Sequence, residues 1–145
     1  MRGTGPRSTG RRRCSAITSV IVKKHIPSIA VVDDEVSVRR AFVRLLRSAG
    51  MNARAFASGA EFLASLPTHA PDCVVLDLNM PGLSGFEMQG RLAQAWPRVA
   101  VIVVTGHHTT ASEAQAQAQA KHPVAYLQKP VDEQLLFAAI ARAVH

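Results

Sequence analysis

The sequence predicts an α/β fold, a doubly wound parallel sheet of five strands. Three observations carry this reading. Between residues 28 and 145, five short apolar runs alternate with five stretches of helical periodicity. Runs such as Ile29–Val32 and Cys73–Leu76 are apolar on consecutive positions, as strands covered on both faces require. Four of the runs end in polar residues: Asp33 and Asp34, Asp77, Thr105, and Lys129. Sheets of this class bind ligands beyond the carboxyl ends of their strands, so these five side chains should converge on one rim.

Each element has its own signal. Ser28 to Glu35 reads as a buried strand ending in acids. A helix follows over Glu35–Ala49, with Val38, Phe42, Leu45, Leu46 and Ala49 as its apolar stripe and Arg39, Arg40, Arg44 and Arg47 on its wet side. Gly50 suits its carboxyl-terminal stop. Asn52–Phe56 is a weaker strand, Ser58–Leu66 a short helix ended by Pro67, and 68–72 a loop. Cys73–Asp77 is the third strand and Ser84–Ala95 a helix weakened by Gly90. After a turn at Trp96-Pro-Arg98, Val99–Val104 forms the fourth strand. Thr109–Lys121 reads as a polar helix, Val124–Leu127 as the fifth strand and Val131–Val144 as the last helix. Leu135, Leu136, Ala139, Ile140 and Ala143 are the expected buried stripe of that helix.

At 145 residues the chain is one domain. It has no apolar stretch of the roughly 18–20 residues a membrane span needs. Cys14 and Cys73 form no framework or metal-ligand spacing, which suits a reduced, cytoplasmic protein. The net charge of +7 lies entirely in residues 1–27, which hold seven cations and no acid; residues 28–145 balance ten against ten. The high pI therefore says little about the domain's partners. Residues 1–27 read as a disordered basic extension, rich in Gly, Ser, Thr and Arg. A nucleic-acid arm, an anionic-surface anchor, a plain solvated extension and a translation start near Val20 or Val22 are the alternatives.

The polar rim has a chemistry. An unpaired buried carboxylate is costly, and three carboxylates together repel one another. Mg²⁺ resolves that conflict, since it prefers oxygen ligands, uses one or two carboxylates and keeps positions for phosphate oxygens. Lys129 offers a point charge for an anion, and Thr105 a hydroxyl. These parts suit phosphoryl transfer to a carboxylate, with Asp77 as nucleophile. Asp33 and Asp34 could instead merely cap the first helix. His107 and His108 invite a metal, but adjacent residues do not share a helix face, and a solvated loop is the better reading.

The ordered set VVDDE (31–35), LDLNMPGLSG (76–85), VVTG (103–106) and YLQKP (126–130) resembles the receiver domain of bacterial two-component response regulators, over about residues 27–145. ARAFASGAEFL followed by LDLNMPGLSG further resembles receivers of the nitrogen-fixation regulator type. The resemblance implies a flavodoxin-like sheet of strand order 2-1-3-4-5. It implies that Asp77 accepts a phosphoryl group from a histidine kinase or phosphotransfer protein. Asp33, Asp34, Asp77 and the backbone carbonyl of Asn79 would hold Mg²⁺. Lys129 would pair with the phosphoryl oxygens, Thr105 and Tyr126 would form the switch, Gly106 would leave the phosphate room, and the bond before Pro130 would be cis.

Two departures shape the expected function. The run HHTTASEAQAQAQAKHPVAYLQKP (107–130) is more polar than usual there and about two residues longer, with His122-Pro123 in place of Gly-Ala. The change falls on the expected signalling face, not on the chemistry. Also, the sequence stops at His145, directly after the last receiver helix. The expectation is a single-domain regulator, not itself an enzyme, that signals through protein contacts without direct DNA binding or membrane attachment. A receiver fragment of a DNA-binding regulator and a phosphorylation-independent interaction module are the alternatives.

Overall fold

A computed structural model describes residues 25–80, 82, 85–106 and 124–144. The expected helix 109–121, the His107-His108 pair, the start of the helix at Ser84 and most of the extension 1–27 lie outside the described residues. The elements are β1 (Ser28–Val32), α1 (Val36–Ser48), β2 (Asn52–Phe56), α2 (Gly59–Ser65), β3 (Cys73–Asp77), α3 (Gly85–Ala95), β4 (Ala100–Thr105), β5 (Ala125–Gln128) and α4 (Glu133–Ala143). Among the described residues, no helix is long and apolar enough to cross a membrane.

The five strands form one parallel sheet in the order β2-β1-β3-β4-β5. Consecutive parallel strands need crossovers, and α1, α2 and α3 lie in those between β1 and β2, β2 and β3, and β3 and β4. The alternation of side chains along each strand feeds two cores. Ile29, Val31, Cys73, Val75, Ile102, Val104 and Leu127 pack against Phe42 and Leu46 of α1 and Leu136, Ala139 and Ile140 of α4. On the other face, Ala30, Val32, Val74 and Leu76 meet Phe62 and Leu66 of the α2 region and Met88 and Leu92 of α3. The consecutive apolar residues of β1 and β3 are thus explained: each strand is covered on both sides.

Local chemistry sets the helix ends. Ser58 accepts the Glu61 backbone N–H at the start of α2, and Asp132 accepts those of Gln134 and Leu135 at the start of α4. Gly50, at φ +87°, turns the chain after α1 and into β2. The Lys129–Pro130 peptide bond is cis, as the resemblance implied.

Two expected core positions differ. Leu135 is 58% exposed, because the buried stripe of α4 begins one residue later, at Leu136. Ala49 is exposed as well; α1 ends at Ser48, and the chain is already leaving the sheet.

Candidate functional site

The register explains why the polar residues meet. Val32 of β1 lies beside Leu76 of β3, and Asp77 beside Val104 of β4. The carboxyl ends of β1, β3 and β4 therefore lie at about one level, with Asp77 the last residue of β3 and Thr105 the last of β4. Thr105 pairs with Gln128 of β5, which puts Lys129 just beyond the same edge.

One carboxylate oxygen from each of Asp33, Asp34 and Asp77 lies within 4.8 Å of the others. Lys129 reaches into this cluster, with Nζ at 3.0 Å from Asp33 Oδ2 and 3.6 Å from Asp77 Oδ2. The two aspartate side chains are only 3% and 5% exposed, and Lys129 is 22% exposed. Asp34 is exposed. The backbone is recruited too. The Glu35 N–H donates to Asp33 Oδ1 at 2.9 Å, and the Asn79 N–H donates to Asp77 Oδ1 at 3.1 Å. One Asp33 oxygen thus holds the turn that leads into α1, and the other accepts from Lys129.

The electrostatics follow from burial and like charge. Burial pushes the Asp77 carboxyl up to about 6, and the neighbouring Asp33 and then Asp34 add to the rise; the Asn79 N–H and Lys129 oppose it. For Lys129, burial favours loss of the proton, yet the hydrogen bond to Asp33 and the charges of Asp77, Asp33 and Glu35 outweigh it and hold its pKa above the ordinary value. When all are ionised, three carboxylates face one ammonium within the cluster. A hard divalent cation fits such an oxygen-rich, net-negative site.

The remaining expected residues lie on β4 and β5 or just beyond β4. The Lys129 N–H donates to the Thr105 carbonyl at 2.8 Å, tying the two strand ends together. The Thr105 hydroxyl and the Tyr126 hydroxyl are both buried and have no hydrogen-bond partner among the described residues. Tyr126 packs against Leu78 and Val103, and burial raises its pKa. A side-chain carbon added at Gly106 would meet only the Asn79 amide nitrogen, at an ordinary 3.8 Å. The protein's own described packing therefore does not demand glycine there.

Arg39 was expected on the wet side of α1. It is half-buried instead, and its guanidinium donates to the Asp33 carbonyl at 2.8 Å. Its sequence signal is its position one helical turn after Glu35, where the first turn of α1 points back toward the acidic loop.

The sequence profile of the response regulator receiver domain matches residues 29–141. The chain belongs to that family. Receiver domains are signalling domains that take phosphate from histidine kinases. This receiver is similar to nodulation protein W of Bradyrhizobium diazoefficiens, with 37% identity over 114 residues, covering 78% of this chain and 49% of the relative. It is 34% identical over 114 residues to the DNA-binding transcriptional regulator NtrC of Escherichia coli, covering 79% of this chain and 24% of that protein. The chain thus spans half or less of the length of these relatives. Among solved structures, a response regulator receiver protein from Burkholderia phymatum superposes with a TM-score of 0.68 at 43% identity, covering 81% of this chain and 94% of that one.

Proposed function

We propose that this receiver takes up a phosphoryl group on Asp77 and signals the event through protein contacts. The observation that carries the reading is Asp77 itself. It is a buried carboxylate at a strand end, 3.6 Å from the Lys129 ammonium and beside two further carboxylates. In the transfer, an Asp77 oxygen attacks phosphorus in line with the leaving group. With a phosphohistidine donor the P–N bond breaks, and the imidazole keeps the electron pair and takes a proton. Asp77 attacks as the carboxylate, the dominant form above a pH of about 6.

The chain's own groups position and neutralise. The Asn79 N–H orients one Asp77 oxygen. Lys129 holds phosphoryl oxygens that arrive beside Asp77. Asp33, Asp34, Asp77 and the Asn79 carbonyl would hold Mg²⁺, which supplies positive charge to the transferring oxygens. The buried Thr105 hydroxyl gains an acceptor once Asp77 carries phosphate, and its shift frees space for the Tyr126 ring; this pair is the proposed switch. Downstream, the reading is of protein partners, with no direct DNA contact by this domain.

Intact mass after incubation with Mg²⁺ and acetyl phosphate tests the reading, beside Asp77→Asn and a chelator control. The expected result is a gain of one phosphoryl group in the wild type alone. No gain, together with no binding of Mg²⁺ or of a beryllofluoride mimic, would leave a phosphorylation-independent interaction module. A second reading rests on the likeness to a DNA-binding regulator of which the chain covers 24%: the domain would then control an attached helix-turn-helix unit. An uninterrupted reading frame running on into such a unit would favour it.

A further inference from the structure

We propose that the face formed by α1 and the edge strand β2 is a docking groove for an acidic, amphipathic segment of a partner protein. A groove of about 640 Å³ runs between them, lined by Val36, Arg40, Val43, Arg44, Arg47 and Ala55, with Arg39 completing its wall. Val36, Arg40, Val43 and Arg47 recur at helical spacing and share one ridge of α1. Four of the ten cations of residues 28–145 gather here, and no acid lines the groove.

Two of the four arginines are held by the fold and two are not. Arg47 donates to the Ala53 carbonyl at 2.9 Å and Arg39 to that of Asp33. Arg40 and Arg44 make no hydrogen bond or ion pair among the described residues. Like charges at i and i+4 weaken a helix, so this pair costs α1 stability without a compensating hydrogen bond or ion pair among the described residues. Between the cations the surface is apolar and open: Val36 is 48% exposed, and Ala55 is exposed.

This combination selects its occupant. Carboxylates pair with guanidinium forks through charge-assisted, often bidentate bonds, and an apolar side chain covers the floor. A nucleic acid matches the charge but offers nothing to Val36, Val43 and Ala55. Residues 1–27 of the chain cannot fill the groove, since they carry seven cations and no acid. From Val36 to Arg47 the ridge is about 16 Å long at ~1.5 Å per residue, room for about three turns of a helix.

The test is fluorescence anisotropy on the full chain with a labelled peptide of about three helical turns, carrying Glu and Leu on one face. A scrambled peptide and a short DNA duplex serve as competing probes. The variants are Arg40→Ala/Arg44→Ala in the groove and Arg11→Ala/Arg12→Ala/Arg13→Ala in the tail, with a thermal unfolding midpoint no lower than that of wild type as the check on folding. The expected result is binding that weakens about tenfold or more in the groove variant, stays as in wild type in the tail variant, and is poorer for the scrambled peptide. No binding, equal binding by the groove variant, loss in the tail variant, or tighter binding of the duplex through the groove arginines would overturn it. So would self-association in sedimentation that the groove variant abolishes, since the occupant would then be a second copy.

Discussion

At the residue scale the decisive group is Asp77. Its carboxyl sits near 6 in the folded protein, against about 3.8 for the free group. The sign is set by that rise. Below about pH 4 the group is protonated in both folded and unfolded chains, and nothing is lost. Between about 4 and 6 it ionises first in the unfolded chain, so metal-free stability falls as pH rises. The total loss is up to about 3 kcal/mol, from ~1.4 kcal/mol per pKa unit. Asp77→Asn removes the charge while keeping an acceptor for the Asn79 N–H. In chelator at pH 8 the variant should therefore be more stable than wild type by about 1–3 kcal/mol, with the gap closing toward pH 4. Urea unfolding at both pH values checks this; a variant less stable at pH 8 would show that burial and the neighbouring carboxylates do not destabilise the Asp77 charge. That Asp77 ends a strand was legible in the sequence. That Arg39 holds the Asp33 carbonyl was not, because an arginine one turn into a helix reads equally well as solvated.

At the element scale, α4 separates periodicity from packing. Both Leu135 and Leu136 lie on a plausible apolar stripe, but only Leu136 is buried, against the sheet face shared with Phe42 and Leu46. Leu136→Ala should cost about 2–5 kcal/mol of unfolding free energy, and Leu135→Ala within about 0.5 kcal/mol. Paired denaturant titrations decide it; equal losses would mean that Leu135 is buried too. The cap of α4 is a second handle. Asp132→Ala frees two backbone N–H groups and should cost about 0.5–2 kcal/mol, read from the same titrations. The strand and helix assignments were readable because parallel strands covered on both faces are continuously apolar, whereas helices carry a stripe. The phase of that stripe at α4 was not, since two adjacent leucines fit it equally.

At the scale of the whole molecule, the sheet brings together residues from four strand ends, so ion binding at the proposed site would be coupled to folding. A cation held by Asp33, Asp34 and Asp77 would bind only the folded chain and would stabilise it by about 2.7 kcal/mol at a hundredfold excess over Kd. Mg²⁺ should raise the unfolding midpoint above pH 7, and the gain should shrink below pH 6 as Asp77 takes up a proton. Asp33→Asn should reduce the gain sharply. A midpoint indifferent to Mg²⁺ in calorimetry would sink the metal reading.

The sequence by itself determined the class of fold, the parallel order of events along the chain and the identity of the rim residues. These are local properties: an apolar run, a stripe, a polar residue at a strand end. The tertiary structure alone decided the distances among the three carboxylates and Lys129, the lift of the Asp77 pKa, the burial of the Thr105 and Tyr126 hydroxyls and the open basic groove beside β2. Each of these depends on strand register and helix placement, which bring together residues as far apart as Asp33 and Lys129, and no local pattern encodes how closely such residues meet.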